Sequence, residues 1–375
     1  MLGLRGNNEV ITVGVVSGGH FFSHFYLLAL PPLFPLIRAD LGVTNTQLGV
    51  LISAISLTML LQILVGEVVD RIGARVILVV GIAVTGISVT LAGLTSSYLG
   101  LLALMLLLGI GQSVFHPADY LLLDQTSKAG RKGKNFSIHT FGGYAGSAAA
   151  PLVVGILGIR HGWRSALFLV GVVGVAYALF AWISLRSISY DRATPPGDDS
   201  SAAPTGSLEA FLQPGILVMF AFFTVITMAT KGIQTFTPLL AVDSFALTEA
   251  TGNLALTAFF TATAVCILAG GVLADRFAPE WVIPVFLTIG GVLTWVTAGG
   301  IVPVTQTTLV VLFGTIGGVY GLVFASRDKL VSKLSAEGST GRSFGFVFTG
   351  TSIGGLVSPA FLGSVSDITT ISDSF

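Results

Sequence analysis

An all-α fold that crosses a membrane many times is what this sequence predicts, and three observations predict it. Apolar residues make up 53% of the 375-residue chain and charged residues only 10%. Soluble domains carry about 25% charged residues, so water cannot be the main solvent of this chain. The apolar residues gather into about eleven runs, each close to the roughly 20 residues that cross a bilayer as helix. Lys and Arg crowd into alternate short loops between those runs.

The runs cover 10–37, 46–66, 76–95, 98–122, 135–157 and 164–186, then 215–240, 250–273, 281–300, 305–326 and 342–364. Between the two sets, residues 187–213 are rich in Pro, Ser, Gly and Asp. Such a segment buries no apolar surface and reads as a flexible cytoplasmic linker. The expected organisation is a six-span bundle over 1–186, the linker 187–213, and a second bundle over 214–375. By count the second bundle lacks its last helix. The first run is too long, and too Pro-rich at its end, for a cleaved signal peptide, so it reads as a retained first helix.

Charge location orients the chain. Arg71, Arg75, Lys128, Arg131, Lys132, Lys134, Arg186, Arg276, Arg327, Lys329 and Lys333 fall on one side of the alternating spans. Arg38, Arg160 and Arg164 fall on the other. Basic short loops stay in the cytoplasm, which places the N-terminus there; the plasma (inner) membrane is the expected location. Lys+Arg and Asp+Glu balance at 18 each, so no electrostatic case exists for nucleic acid. The lone Cys266 excludes a disulfide framework.

The two halves repeat. Gly66, Asp70 and Arg71 follow the second span, and Gly271, Asp275 and Arg276 follow the eighth at the same spacing. Phe115 and Asp119 match Phe324 and Asp328, and Gly133, Phe136, Pro151 and Gly155 match Gly341, Phe344, Pro359 and Gly363. A duplication of this size predicts two pseudo-symmetric bundles with a substrate site near the bilayer midplane.

The loop GEVVDRIGAR, from Gly66 through Asp70, Arg71 and Gly73 to Arg75, resembles the signature loop of the major facilitator superfamily. That resemblance implies the major facilitator fold. It also implies a gating role for the loop, in which Asp70 meets the helix starting near Gly341 and Asp275 the one starting near Asn135. A carboxylate at a helix N-terminus is favoured by the helix dipole. The stretch 109–151, with Ser113-Val114-Phe115-His116-Pro117 at its head, is similar to the fosmidomycin-resistance branch, whose members are efflux proteins. Where proton-coupled members commonly carry an arginine in the fourth helix, this chain has Met105.

Ionisable groups inside spans cost about 2.5–3.5 kcal/mol each at the bilayer centre, so each is a site candidate. Lys231 on the seventh span is expected to line a cavity and attract an anionic or carbonyl-bearing substrate; its bland reading is snorkelling. His20 and His24 lie four apart on one face of the first span, as a hydrogen-bonded pair or as cavity and proton-handling groups. No acid lies between them, so no metal is expected there. His116, before Pro117, and His139 divide evenly between structural and functional roles. Tyr26 and Gln234 are further cavity candidates. Asp119 and Asp328 are expected near the inner surface, paired with the basic loops. Gly142, Gly146 and Ala150, and again Gly350, Gly354 and Ser358, form small-residue packing faces.

The expected function is a monomeric secondary transporter moving a small organic molecule by alternating access, with proton-coupled efflux as one mode and uptake of an organic anion as the alternative. No Walker loop, Gly-x-Ser-x-Gly elbow or His-Glu-x-x-His helix occurs. Neither an ATP-driven pump nor a membrane enzyme is therefore expected, and no cofactor. A channel gives no reason for duplicated gating loops.

Overall fold

A computed structural model describes residues 2–128, 130–186, 188, 213–335 and 340–375. The expected linker lies almost wholly outside these residues. The described elements are helical, and they account for every apolar run in the order expected.

The chain divides into two compact units, one of Met1–Val43 with Val50–Ala193, the other of Thr44–Gly49 with Thr194–Phe375. In the first, α1 (Leu2–Leu27) is followed by a 3-10 turn at Pro31–Leu33 and by α2 (Phe34–Leu41). The run expected as one helix over 10–37 is thus broken. Pro31 and Pro32 supply no backbone N–H and cannot continue α1. Gly42, at φ 63°, then ends α2 in the left-handed conformation.

The second span is also interrupted, as α3 (Asn45–Met59) and α4 (Gln62–Ile72). The third is α5 (Ala74–Ala92), and the fourth is α6 (Tyr98–Gln112) with α7 (Phe115–Thr126). Ser97 caps α6 by accepting the Gly100 N–H at 3.1 Å. The break between α6 and α7 stands where Pro117 would collide with the Ser113 carbonyl of a continuous helix. The fifth and sixth spans run together as α8 (Lys132–Leu185), which turns at Gly162, φ 79°. Only glycine adopts that conformation without strain.

The second unit contains α9 (Pro214–Asp243), α10 (Glu249–Arg276), α11 (Pro279–Ala298), α12 (Gln306–Leu334) and α13 (Thr340–Ile368). Thr248 caps α10, and a Thr305–Thr308 capping box starts α12.

Each unit packs through the same kind of contact. A side chain at Gly142 or Gly146 would meet the Ser17 carbonyl at 2.6 Å or that of Phe21 at 2.1 Å, so α8 lies directly on α1. In the second unit Gly350 and Gly354 stand 2.6 and 2.5 Å, by the same measure, from the carbonyls of Phe220 and Thr224 on α9. Ser358 continues that seam by donating to Met228 O at 2.7 Å. The small-residue faces are therefore packing seams, first span to fifth and seventh span to eleventh.

Outward faces are apolar. Leu99, Leu179, Phe180, Leu268, Trp281 and Trp295 are all exposed. Such a surface suits lipid, while Val16, Leu78, Ile82, Phe115 and Leu122 fill the first core and Ile216, Phe223, Val331 and Val347 the second.

Candidate functional site

The first unit holds a buried polar cluster assembled from three helices. α1 brings His20 and His24, α7 brings His116, Asp119 and Tyr120, and α8 brings His139 and Ser147. Asp119 is fully buried and His139 is 1% exposed. His139 Nε2 lies 2.9 Å from Asp119 Oδ2, and His20 Nδ1 lies 3.4 Å from the same oxygen. The imidazole rings of His20 and His139 are 3.8 Å apart, those of His20 and His24 4.5 Å, and those of His20 and His116 5.4 Å.

The backbone shapes this cluster. A side chain at Gly143 would strike the His20 ring at 2.5 Å and His24 at 3.1 Å, so glycine there lets both rings lie against α8. His24 Nδ1 is 3.2 Å from Ser147 Oγ. One turn beyond His20, Ser23 Oγ donates to Gln112 Oε1 at 2.6 Å, and Gln112 Nε2 returns a bond to Ser23 O at 2.9 Å. These bonds fix the register of α1 against α6. His116 and Tyr120 are exposed, so the cluster runs from an open rim at His116, through buried His20, to the enclosed Asp119–His139 pair.

Two atoms in this pair, Asp119 Oδ1 and His139 Nδ1, are buried without a hydrogen-bond partner among the described residues. A buried carboxylate oxygen and a buried imidazole nitrogen thus keep hydrogen-bonding capacity that no group among the described residues uses. Donor atoms of His20, Asp119 and His139 lie within 4.8 Å of one another, compact enough for an ion. The direct imidazole–carboxylate contacts account for the grouping without one.

The expectations fare unevenly. Four of the predicted residues, His20, His24, His116 and His139, come together. Asp119 was expected at the inner surface beside basic loops; instead α7 carries it into the cluster, and it is the acid that the His20–His24 spacing lacked. Tyr26 does not face a cavity: it is fully buried and donates to Val170 O at 2.8 Å, joining the first span to the sixth. Gln112, Ser147 and Gly143 also shape the cluster, and an amide, a hydroxyl and a glycine inside apolar runs give no separate signal in the sequence.

In the second unit Lys231 is half-buried in mid-helix on α9, with no ion pair or hydrogen bond among the described residues. Gln234, one turn on, is also half-buried.

Within the signature loop, the surroundings of Gly66 and of the Asp70 side chain lie outside the described residues. Arg71 pairs with Glu67 on the surface. Gly73 takes φ 104°, allowing the sharp turn into α5. Arg75 Nη1 donates to Arg186 O at 3.0 Å and to Leu185 O at 3.3 Å, covering the carbonyl end of α8. Gly271 faces open space, and Asp275 and Arg276 are exposed.

Two helical units built for lipid, one enclosing ionisable groups and the other an unpaired cation, define a multi-span membrane transport protein. The chain belongs to the Major Facilitator Superfamily, whose family model matches residues 16–359. It is 26% identical to the fosmidomycin resistance protein of Escherichia coli K12, over 96% of this chain and 87% of that protein. It is 29% identical to a probable sulfoacetate transporter of Cupriavidus necator, over 44% of this chain and 39% of that one. Among solved structures, a bacterial homolog of the human lysosomal transporter Spinster superposes with a TM-score of 0.80 at 16% identity, covering 97% of this chain and 83% of that one. A nucleoside transporter gives 0.78 at 15% identity, covering 98% and 94%.

Proposed function

We propose that this protein exports a small organic anion from the cytoplasm in exchange for protons, working as a monomer in the inner membrane with its N-terminus inside. The observation that carries the reading is the Asp119–His139 pair, reached from an exposed His116 through His20. Ionisable side chains held inside a membrane bundle are costly, and proton relays are among the functions that retain them. The proton enters at His116, passes to His20, and rests on the imidazole–carboxylate pair. Adding it converts Asp119 and neutral His139 into a carboxylate–imidazolium pair, removing the net charge that disfavours movement of the bundle through lipid. Alternating access then needs only that the two protonation states prefer different conformations.

Lys231 supports an anionic substrate, since a half-buried ammonium without a partner among the described residues favours a negative ligand. The names of similar proteins point the same way. Sulfoacetate, L-galactonate and hexuronate are acids, and each names a similar transporter. Export rather than uptake is supported by the likeness to a resistance protein along most of the chain. Asp70 and Asp275 take the gating role that the signature loop implies. The substrate leaves chemically unchanged.

Purified protein in liposomes tests this directly. A pH gradient should drive accumulation of benzoate, benzenesulfonate or phenylphosphonate in the direction opposite to proton flow, and a protonophore should abolish it. Accumulation in the same direction as the protons would establish uptake instead. Accumulation indifferent to the protonophore would remove proton coupling.

A further inference from the structure

Threonines inside helices usually turn the hydroxyl back onto the carbonyl one turn earlier. On α9, Thr224 bonds Phe220 O at 2.9 Å, Thr230 bonds Ile226 O at 2.9 Å, and Thr237 bonds Ile233 O at 2.6 Å. Thr235 does not. Its Oγ1 is buried without a hydrogen-bond partner among the described residues, and the residue is 1% exposed. The carbonyl it declines, four residues back, is that of Lys231.

An orphaned buried hydroxyl lowers stability and calls for a reason. The reason lies in its neighbour. Residues four apart on a helix share a face, with Cβ atoms roughly 5–6 Å apart. Lys231 and Thr235 therefore share one face of α9, an ammonium and a hydroxyl that each lack a hydrogen bond among the described residues. A hydroxyl turned toward its own backbone would have its donor proton occupied; turned away, the proton is free for a ligand. We infer that Lys231 and Thr235 together form the headgroup subsite for a compact oxyanion (carboxylate, sulfonate or phosphonate), with Lys231 supplying charge and Thr235 the directed hydrogen bond. This rests on the anion reading above and names the second residue that recognises the anion.

Selectivity follows from the pairing. A lone lysine attracts any negative group, whereas a hydroxyl left unpaired in the unloaded protein favours ligands that accept its proton. A neutral amide satisfies Thr235 but leaves the ammonium unmatched.

The test uses full-length protein in liposomes with benzoate, benzenesulfonate, phenylphosphonate and neutral benzamide as probes. Thr235→Val removes the hydroxyl at nearly constant shape. It should raise the apparent KM for the three anions about ten- to hundredfold, the worth of one hydrogen bond to a charged group. The melting temperature should hold or rise, because a buried polar orphan has gone. Thr235→Ser should restore KM to within about threefold, the size of a conservative swap that keeps the hydrogen bond. Thr237→Val, which removes a satisfied hydroxyl, should lower the melting temperature and leave KM alone. A Thr235→Val protein with unchanged KM overturns the subsite while leaving the anion reading intact. So does one that melts lower and whose lost transport merely follows its lost folded fraction. A wild-type protein that fails to saturate with any of the three anions, or prefers benzamide, overturns the anion reading and the subsite with it.

Discussion

His139 Nε2 lies 2.9 Å from Asp119 Oδ2 where both side chains are buried, although 20 residues and a helix-to-helix loop separate them. The groups against the pair are His20 from α1 and Tyr120 from α7, and His24 and His116 pack their rings against His20. No Lys or Arg is bonded to Asp119 among the described residues. Its negative charge is therefore offset only by protonation of imidazole or of the carboxyl itself. On the proposed reading the pair is a two-state element with the proton as its ligand.

Asp119→Asn should abolish transport driven by a pH gradient and retain substrate exchange at equal pH on both sides. The amide keeps a hydrogen bond to His139 but cannot carry the proton. Parallel measurements of gradient-driven accumulation and counterflow check this. Loss of both activities, with a normal melting temperature, would mean Asp119 serves substrate binding instead.

His139→Ala and His24→Ala should differ. Removing His139 leaves Asp119 buried without its nearest partner, and breaking a buried pair typically costs about 3–5 kcal/mol. His24 is half-buried and bonded to Ser147, so its loss should cost about 1 kcal/mol, one ordinary hydrogen bond. The transport pH profile should flatten in the His139 variant and keep its shape in the His24 variant. Equal flattening in both would shift proton handling toward the α1 histidines.

Lys231→Met should leave the melting temperature unchanged or higher, since the cost of desolvating an unpaired ammonium disappears. Transport of the three anionic probes should fall at least about tenfold, the worth of a charge-assisted contact. A destabilised variant whose folded fraction transports normally would return Lys231 to a structural role.

Gly146→Ala and Gly354→Ala should each destabilise by about 1–3 kcal/mol, the usual range for overpacking. The added methyl would stand 2.1 Å from Phe21 O in one case and 2.5 Å from Thr224 O in the other. Gly271→Ala meets nothing within 4 Å and should be neutral or slightly stabilising. Thermal unfolding in detergent separates them. Comparable melting of all three would contradict the close seams.

Arg75→Gln should lower stability by about 1.5–3 kcal/mol through loss of charge-assisted bonds to the end of α8. A variant with unaltered melting but a changed conformational balance, read by cysteine accessibility from each side, would instead place Arg75 in gating alone.

The sequence by itself determined the membrane, the number and order of the spans, the repeat and the four candidate histidines within spans. Those features are local. Hydropathy is set run by run, and a histidine within an apolar run is conspicuous wherever the run lies. It also marked the small-residue faces, because spacing by four is a property of one helix. What the tertiary structure decided was which faces meet. His20, Asp119 and His139 come from three helices, and nothing in their spacing along the chain announces a common point. Asp119 misled because counting from the end of an apolar run places it at the membrane surface. In fact the chain breaks after Gln112, resumes at Phe115, and continues as helix to Thr126, so Asp119 stands inside the bundle. Tyr26 misled in the opposite sense: only the crossing of α1 with the far part of α8 shows that its hydroxyl serves the Val170 carbonyl. Hydrophobicity decides that a helix enters the bilayer, but the side chains it presents inward are fixed by the close backbone contacts that glycines such as Gly143 permit.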